Sequence, residues 1–144
     1  MTASSAAAAN NLVNAKNIED FLAENQEYML GMDLFEYLML LLRQKGLKRA
    51  DVVRDSGLEK AYVYQIFDGK KRPSRDKLIA IAFGLHLNAE ETQRMLKLGE
   101  CSELYARVAR DAVILFAVQR GMDIAAADDL LYRNNFPTLL DQDR

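Results

Sequence analysis

The chain has 144 residues, half of them apolar, and a formal net charge of −2, so it can bury one ordinary hydrophobic core and we expect one compact unit. Its single cysteine, Cys101, and single histidine, His86, exclude an internal disulfide and a metal site built from several cysteines or histidines, and we expect no metal and no cofactor. The seven-residue apolar run from Ala112 to Val118 is too short to cross a bilayer and the first fifteen residues do not follow the pattern of a signal peptide, so we expect a cytoplasmic protein without membrane association.

The N-terminal part of the chain is acidic, with a net charge of −5 from Met1 to Leu42. Residues 1–16 are rich in alanine, asparagine and serine, and we expect a disordered segment there. Residues 17–31 are predicted to form an N-terminal helix, because Asn17 is a good capping residue and Gly31 ends the apolar pattern. The acidic character of this helix makes it a candidate contact for a protein partner.

Residues 33–99 carry the pattern of five helices and no strand, because no run of alternating apolar and polar residues lies between turn residues. The second and third helices, Arg49 to Asp55 and Glu59 to Phe67, are short. The turn between them contains Gly57, which can adopt a positive φ. Two short helices joined by such a turn have the layout of a helix-turn-helix. The fold is predicted to be all-α.

The third helix is predicted to have an inner face at Val63 and Ile66, which lie three positions apart. The residues on its outer face are Lys60, Ala61, Tyr64 and Gln65. Long polar side chains near the start of such a helix can reach base edges in the major groove. We therefore predict that these four residues read bases, with Lys60 and Gln65 as the main readers and Ala61 near a thymine methyl group. For Tyr64 the alternative is packing.

The residues around this turn follow one another at fixed spacings, and these are Lys45-Gly46-Leu47, Val52-Val53, Gly57-Leu58, Val63, Ile66, Asp68-Gly69-Lys70, Pro73-Ser74, Leu78, Ile81-Ala82 and Leu85. On this pattern the stretch from Leu38 to Leu98 resembles the Cro/cI-like, or XRE, family of DNA-binding domains. The resemblance implies a lambda-repressor-like five-helix helix-turn-helix domain at residues 33–99 that binds double-stranded DNA.

The sequence departs from this family at three positions. Lys48-Arg49 stands where the family usually has Thr-Gln at the start of the second helix. Val53 stands where it favours a small alanine at a tight helix crossing. Ser56 stands where it favours a large apolar residue before the turn glycine. We expect these changes to leave the fold in place.

Positive charge is concentrated around the turn. The segment from Arg43 to Lys77 holds eleven Lys or Arg and five Asp or Glu residues, a net charge of +6, whereas the segment from Leu78 to Arg144 has a net charge of −3. A local basic patch of this kind is the footprint of nucleic-acid binding. We predict phosphate contacts by Arg49, Tyr62, Lys70, Lys71 and Arg72. For Tyr62 the alternative is a half-buried ring.

A repeat of 35 residues extends beyond the predicted DNA-binding domain. The hairpin at 74–99 recurs at 109–134, and the matched pairs are Arg75-Asp76 and Arg110-Asp111, Ile79 and Ile114, Ala82 and Ala117, Asn88 and Asp123, Leu96 and Leu131, and Leu104 and Leu139. A period of this length with two helices per unit is typical of helical repeats, which stack because one copy cannot bury its apolar face alone. Residues 100–144 are therefore predicted to form a C-terminal helical extension that repeats helices four and five.

The run from Ala112 to Val118 is apolar all round, and we expect it to be buried on every side. The face of Val113 and Phe116, or alternatively that of Ile114 and Val118, needs a cover outside the repeat. The cover is either the N-terminal helix, which gives a monomer, or the same helix of a second copy, which gives a two-fold homodimer. We favour the homodimer, because regulators gain affinity from doubled sites.

The sequence shows no catalytic arrangement, because the one histidine has no serine or cysteine at helical spacing and no glycine-rich phosphate loop occurs. We therefore predict that the protein is not an enzyme. Two classes of function remain. The first is a sequence-specific DNA-binding regulator of transcription that uses residues 59–67 in the major groove. The second is a protein-interaction adaptor that retains the helix-turn-helix fold.

Overall fold

The computed structural model describes residues 18–19 and 31–140. Its helices are α1 (Leu34–Gln44), α2 (Arg49–Ser56), α3 (Lys60–Phe67), α4 (Arg75–Gly84), α5 (Ala89–Leu98), α6 (Ala109–Gln119) and α7 (Ile124–Arg133). No strand occurs among the described residues, which confirms the prediction of an all-α fold. The disordered segment predicted at 1–16 lies outside the described part. So does the N-terminal helix predicted at 17–31, except for the helical residues 18–19 and the non-helical Gly31.

Residues from Leu34 onward form one compact unit. All the helices named above belong to it, so the predicted DNA-binding domain and the predicted C-terminal extension share this unit. None of the helices in the described part of the chain has the length and apolar character needed to cross a membrane.

Helix α4 lies at the centre of this unit. Every residue from Leu78 to Leu85 is buried, so this part of the chain has no face in contact with water. It can be buried all round because α2, α5 and α7 pack against it from different sides. Helix α1 contacts α3 and α5, and α6 contacts α5 and α7.

Helix α2 crosses α4 at a very short distance, at Gly84. A Cβ atom at this position would lie 2.9 Å from the Cβ of Ser56 and 2.9 Å from the carbonyl oxygen of Val52. Ser56 is fully buried, and its hydroxyl oxygen accepts a hydrogen bond from the Leu58 amide at 3.2 Å. The small residue before the turn is therefore a steric requirement of this crossing. Val53, at the position where the resembled family has a tight crossing, is only half-buried.

Replacing Gly84 with alanine is expected to lower the free energy of unfolding by about 1–3 kcal/mol, because a methyl group must displace backbone and Cβ atoms that cannot rotate away. This exceeds the gain of about 1 kcal/mol that alanine normally brings to a helix. Urea denaturation measures the difference. In a Ser56→Gly background the same change at Gly84 should cost less, since one of the two close contacts is then absent. An alanine variant more stable than the wild type would contradict the tight crossing.

The turn between α2 and α3 is closed by Gly57, whose φ of +72° lies in the left-handed region that favours glycine. The side chain of Leu140 packs on this glycine, with its Cδ1 only 2.6 Å from the position of an added Cβ. Any larger residue at 57 would therefore meet both a strained backbone and the end of the C-terminal hairpin. The C-terminal extension thus contacts the turn of the helix pair directly.

The hairpin of α4 and α5 and the hairpin of α6 and α7 make the same hydrogen bonds at positions 35 residues apart. Asn88 caps α5 by accepting from the Glu91 amide at 2.8 Å, and Asp123 caps α7 by accepting from the Ala126 amide at 2.8 Å. Residues with a positive φ also recur at this spacing. His86 and Gly121 precede the second helix of their hairpins, and Glu100 and Asn135 follow it. The 35-residue spacing therefore holds in the backbone as well as in the sequence.

The chain that leaves each second helix is held by a side chain of that helix. The amide of Gln93 in α5 bonds both backbone groups of Leu104, at 2.7 and 2.8 Å. The carboxylate of Asp128 in α7 accepts from the amides of Leu139 and Leu140, at 2.6 and 3.1 Å. Because these bonds fix the backbone, Leu104 and Leu139 are both buried.

Two Arg–Asp pairs join the hairpins, one in each direction. Arg75 in α4 donates to both carboxylate oxygens of Asp111 in α6, at 3.0 and 2.9 Å. Arg110 in α6 donates to both oxygens of Asp76 in α4, at 2.9 and 3.2 Å. The pairing is reciprocal, and it holds the N-termini of α4 and α6 close together.

Helix α6 is not buried on every side. Ile114 and Val118 are buried, whereas Val113 is half-buried and Phe116 is 43% exposed. The Arg120 guanidinium covers the Phe116 ring at 3.6 Å from its centroid. Of the two faces that were expected to need a cover, the one left open in the described unit is therefore that of Val113 and Phe116. Its cover by the N-terminal helix or by a second copy in a homodimer stays a prediction.

Candidate nucleic-acid interface

Helix α3 has a buried face and an open face. The buried residues are Val63, Ile66 and Phe67, none more than 2% exposed. Of the four residues predicted to read bases, Lys60, Ala61 and Gln65 are exposed and Tyr64 is half-buried. The helix begins at Lys60 because Glu59 has an extended backbone, and it ends at Phe67 before the turn at Asp68 and Gly69. The four side chains share the open face.

The ring of Tyr64 lies between two cations. The guanidinium carbon of Arg49 is 5.4 Å from the ring centroid, and the ammonium nitrogen of Lys60 is 5.5 Å from it. Both distances are within the range of a cation–π interaction. Because these contacts join the first residues of α2 and α3 through one ring, they favour packing as the main role of Tyr64.

The ring of Tyr62 lies close to two lysines, Lys71 at 5.0 Å and Lys77 at 6.0 Å from its centroid. The ring is half-buried. This burial raises the pKa of the Tyr62 phenol, and a hydrogen bond with the backbone of Ser74 opposes the shift. The hydroxyl therefore stays protonated at neutral pH and is a hydrogen-bond donor for an oxygen such as that of a phosphate.

The loop from α3 to α4 is anchored at both ends and open in its middle. Gly69, with φ +73°, lies next to the Phe35 ring, which an added Cβ would contact at 3.5 Å, and Pro73 is buried. The three basic residues between them, Lys70, Lys71 and Arg72, are exposed. Three of the five predicted phosphate contacts therefore lie together on the loop that follows α3.

Most of the positive charge at this surface is not neutralised by neighbouring carboxylates. Arg72 pairs with Glu100 at 3.4 Å, but both side chains are largely exposed, so the pair is weak. In the described part of the chain, no Asp or Glu oxygen lies within 4 Å of the ammonium groups of Lys60, Lys70, Lys71 and Lys77. These lysines are available for anions in solution.

Arg49 differs from the lysines, because its guanidinium already forms an ion pair with a carboxylate. Its Nη1 lies 2.8 Å from Oδ1 of Asp68, directly after α3, and both side chains are only partly exposed. The predicted phosphate contact of Arg49 therefore requires that the guanidinium leave Asp68 or share itself between the carboxylate and a phosphate.

Two residues at this surface were not predicted from the sequence. Lys77 lies in the first turn of α4 and faces the Tyr62 ring. The sequence could have indicated it, because Lys77 is the fourth residue after Pro73 and so lies in the first turn of the helix that follows the basic run. Asp68 could not be found in this way, because it pairs with a residue nineteen positions earlier across a turn.

The described residues contain no group of three His, Cys, Asp or Glu side chains placed to hold a metal ion. Comparison of the chain with protein-family models, with curated proteins and with solved structures found no match. The chemistry of the surface therefore rests on its own geometry, which offers exposed cations, two tyrosine rings and one open helix face.

Proposed function

We propose that the protein is a sequence-specific regulator of transcription that binds double-stranded DNA with α3 in the major groove. In this proposal α1 to α5 form a lambda-repressor-like helix-turn-helix domain of the XRE type, and α6 and α7 extend it. The observation that carries the proposal is the open face of α3, whose exposed polar side chains are bordered by lysines without carboxylate partners.

The surface has one group of side chains that can read bases and another that can contact phosphates. Lys60 and Gln65 are exposed on the helix and supply donors and an acceptor for base edges in the major groove. The lysines of the following loop supply charge for phosphates, which positions a protein on DNA without reading its sequence. The two groups are neighbours in the chain, because the loop begins directly after α3 ends at Phe67.

The alternative is a non-enzymatic adaptor that keeps this fold and binds a protein partner. The tyrosine rings and Arg49 favour it to some degree, since tyrosine and arginine are enriched at protein interfaces. Titration of random-sequence duplex DNA at several salt concentrations separates the two. DNA binding predicts an affinity that falls linearly with salt on logarithmic axes. A protein without affinity for duplex DNA at low salt contradicts the proposal and supports the adaptor.

Replacing Gln65 with alanine is expected to weaken binding to the preferred site by about 1–3 kcal/mol and to relax the preference at one base pair. The reason is that its side-chain amide can form two hydrogen bonds with N6 and N7 on the major-groove edge of an adenine, which alanine cannot. The preferred site comes from selection of bound oligonucleotides from a random pool, and each single-base variant of it is then titrated.

Gln119→Ala is the matched control, because Gln119 is also an exposed glutamine in a helix but lies in α6. It should leave affinity and preference unchanged. A loss by Gln65→Ala that is equal on all sequences would show that Gln65 does not read a base.

A further inference from the structure

Asp68 occupies an unusual place for an acidic residue at a DNA-binding surface. It directly follows α3, between the helix and the basic residues Lys70 to Arg72. Its backbone amide bonds to the Tyr64 carbonyl at 2.9 Å, so its position is fixed. A negative charge at a helix C-terminus is unfavourable to the helix, because the last carbonyl groups also carry negative partial charge. The carboxylate therefore does not stabilise α3 through the helix dipole.

The partner of this carboxylate is Arg49, at the start of α2. The distance from Nη1 to Oδ1 is 2.8 Å, and the guanidinium also lies over the Tyr64 ring. The side chains of Arg49 and Asp68 are 32% and 40% exposed, so water and ions reach the pair from one side. A phosphate that approaches α3 would meet a guanidinium whose charge is already balanced.

We infer that Asp68 limits the sequence-independent part of DNA binding by holding Arg49 away from phosphates. The inference rests on the proposed DNA-binding function. Binding of a phosphate by Arg49 weakens or breaks its ion pair with Asp68, and it leaves the carboxylate close to a second anion. This cost falls on the phosphate contact of Arg49 and is the same for every DNA sequence.

The inference predicts that Asp68→Asn increases affinity for random duplex DNA. Asparagine has nearly the same shape and no charge, and it is well tolerated at the end of a helix. The released arginine adds about one phosphate contact, so the salt dependence should steepen by about 0.9 and affinity at about 0.1 M salt should rise roughly tenfold. Affinity for the preferred site should rise by a similar factor, because the phosphate contact of Arg49 carries no sequence information.

Two further variants separate the release of Arg49 from the loss of a negative charge. Glu59→Gln removes an exposed carboxylate at the start of α3, for which the described part of the chain shows no cationic partner. It should raise affinity for random DNA much less than Asp68→Asn. In the Arg49→Gln background, Asp68→Asn should lose its effect on the salt slope. Thermal unfolding of each variant monitors the fold.

The outcomes are distinct. Wild-type protein that does not bind duplex DNA removes both the proposed function and this inference. Wild-type protein that binds DNA, with Asp68→Asn unchanged or weaker, leaves the function standing and overturns the role of Asp68. Equal gains from Asp68→Asn and Glu59→Gln, or a gain that persists without Arg49, also overturn it, because charge alone then accounts for the effect.

Discussion

Replacing Arg75 with alanine is expected to lower the free energy of unfolding by about 3–5 kcal/mol, because it leaves a buried carboxylate without its counter-ion. The carboxylate is that of Asp111, whose side chain is only 6% exposed. After the substitution its remaining contact is the Tyr105 amide at 3.1 Å. Arg75 also donates to the carbonyls of Ser102 and Glu103, at 2.9 Å each, so the variant frees the chain that closes the first hairpin.

The equivalent change in the second hairpin tests this reasoning. Arg110→Ala leaves Asp76, which is 21% exposed, so water can replace part of the lost interaction and the expected cost is about 1–3 kcal/mol. Arg54→Ala removes an exposed arginine that pairs with Asp55, and it should cost less than about 1 kcal/mol. Urea denaturation gives the three values. Equal losses for the three variants, or a larger loss for Arg110→Ala, would contradict the role of burial.

The helices around the turn could be predicted from local pattern alone. The three-residue spacing of Val63 and Ile66 identifies the inward face of α3, and Gly57 identifies the turn, because these features depend on neighbours within a few residues. The caps at Asn88 and Asp123 are local in the same sense. Each of these elements is stabilised by contacts that a short window of sequence contains.

The 35-residue repeat was visible in the sequence, but the contacts that it makes were not. An offset shows that Arg75 corresponds to Arg110 and Asp76 to Asp111. It does not show which aspartate each arginine binds. The structure shows that the arginine of each hairpin binds the aspartate of the other hairpin, and this reciprocal pairing depends on how α4 and α6 pack.

Other features depend on long-range packing and could not be predicted from the sequence. The sequence left open which face of α6 needs a cover, and in the described unit it is the face that carries Phe116. Ser56 looked like a departure from the resembled family and proves to be the small residue that Gly84 requires. The pairing of Arg49 with Asp68 joins two helix ends that only the turn brings together.

Replacing Lys70, Lys71 and Arg72 together with alanine is expected to weaken binding to all DNA sequences by about two to three orders of magnitude at about 0.1 M salt. Each lost phosphate contact removes the release of about 0.9 counterion, so the salt slope should flatten by up to about three units. The structure predicts an unequal division of this loss. Lys70 makes neither a ring contact nor an ion pair in the described part of the chain, whereas Lys71 lies on Tyr62 and Arg72 pairs with Glu100. Lys70→Ala alone should therefore have the largest single effect.

A matched variant with the same change in charge decides whether the position of these residues matters. Arg107, Arg120 and Arg133 are exposed basic residues outside α1 to α5, and their joint replacement by alanine also removes three positive charges. Its effect should be small, because exposed charges farther than about 10 Å from the DNA are screened at 0.1 M salt. The preference among sequences should survive in the Lys70, Lys71 and Arg72 variant, since Lys60 and Gln65 remain. Equal losses of affinity in the two triple variants would show that binding depends only on the total charge of the protein. The loop would then have no special role in binding phosphates.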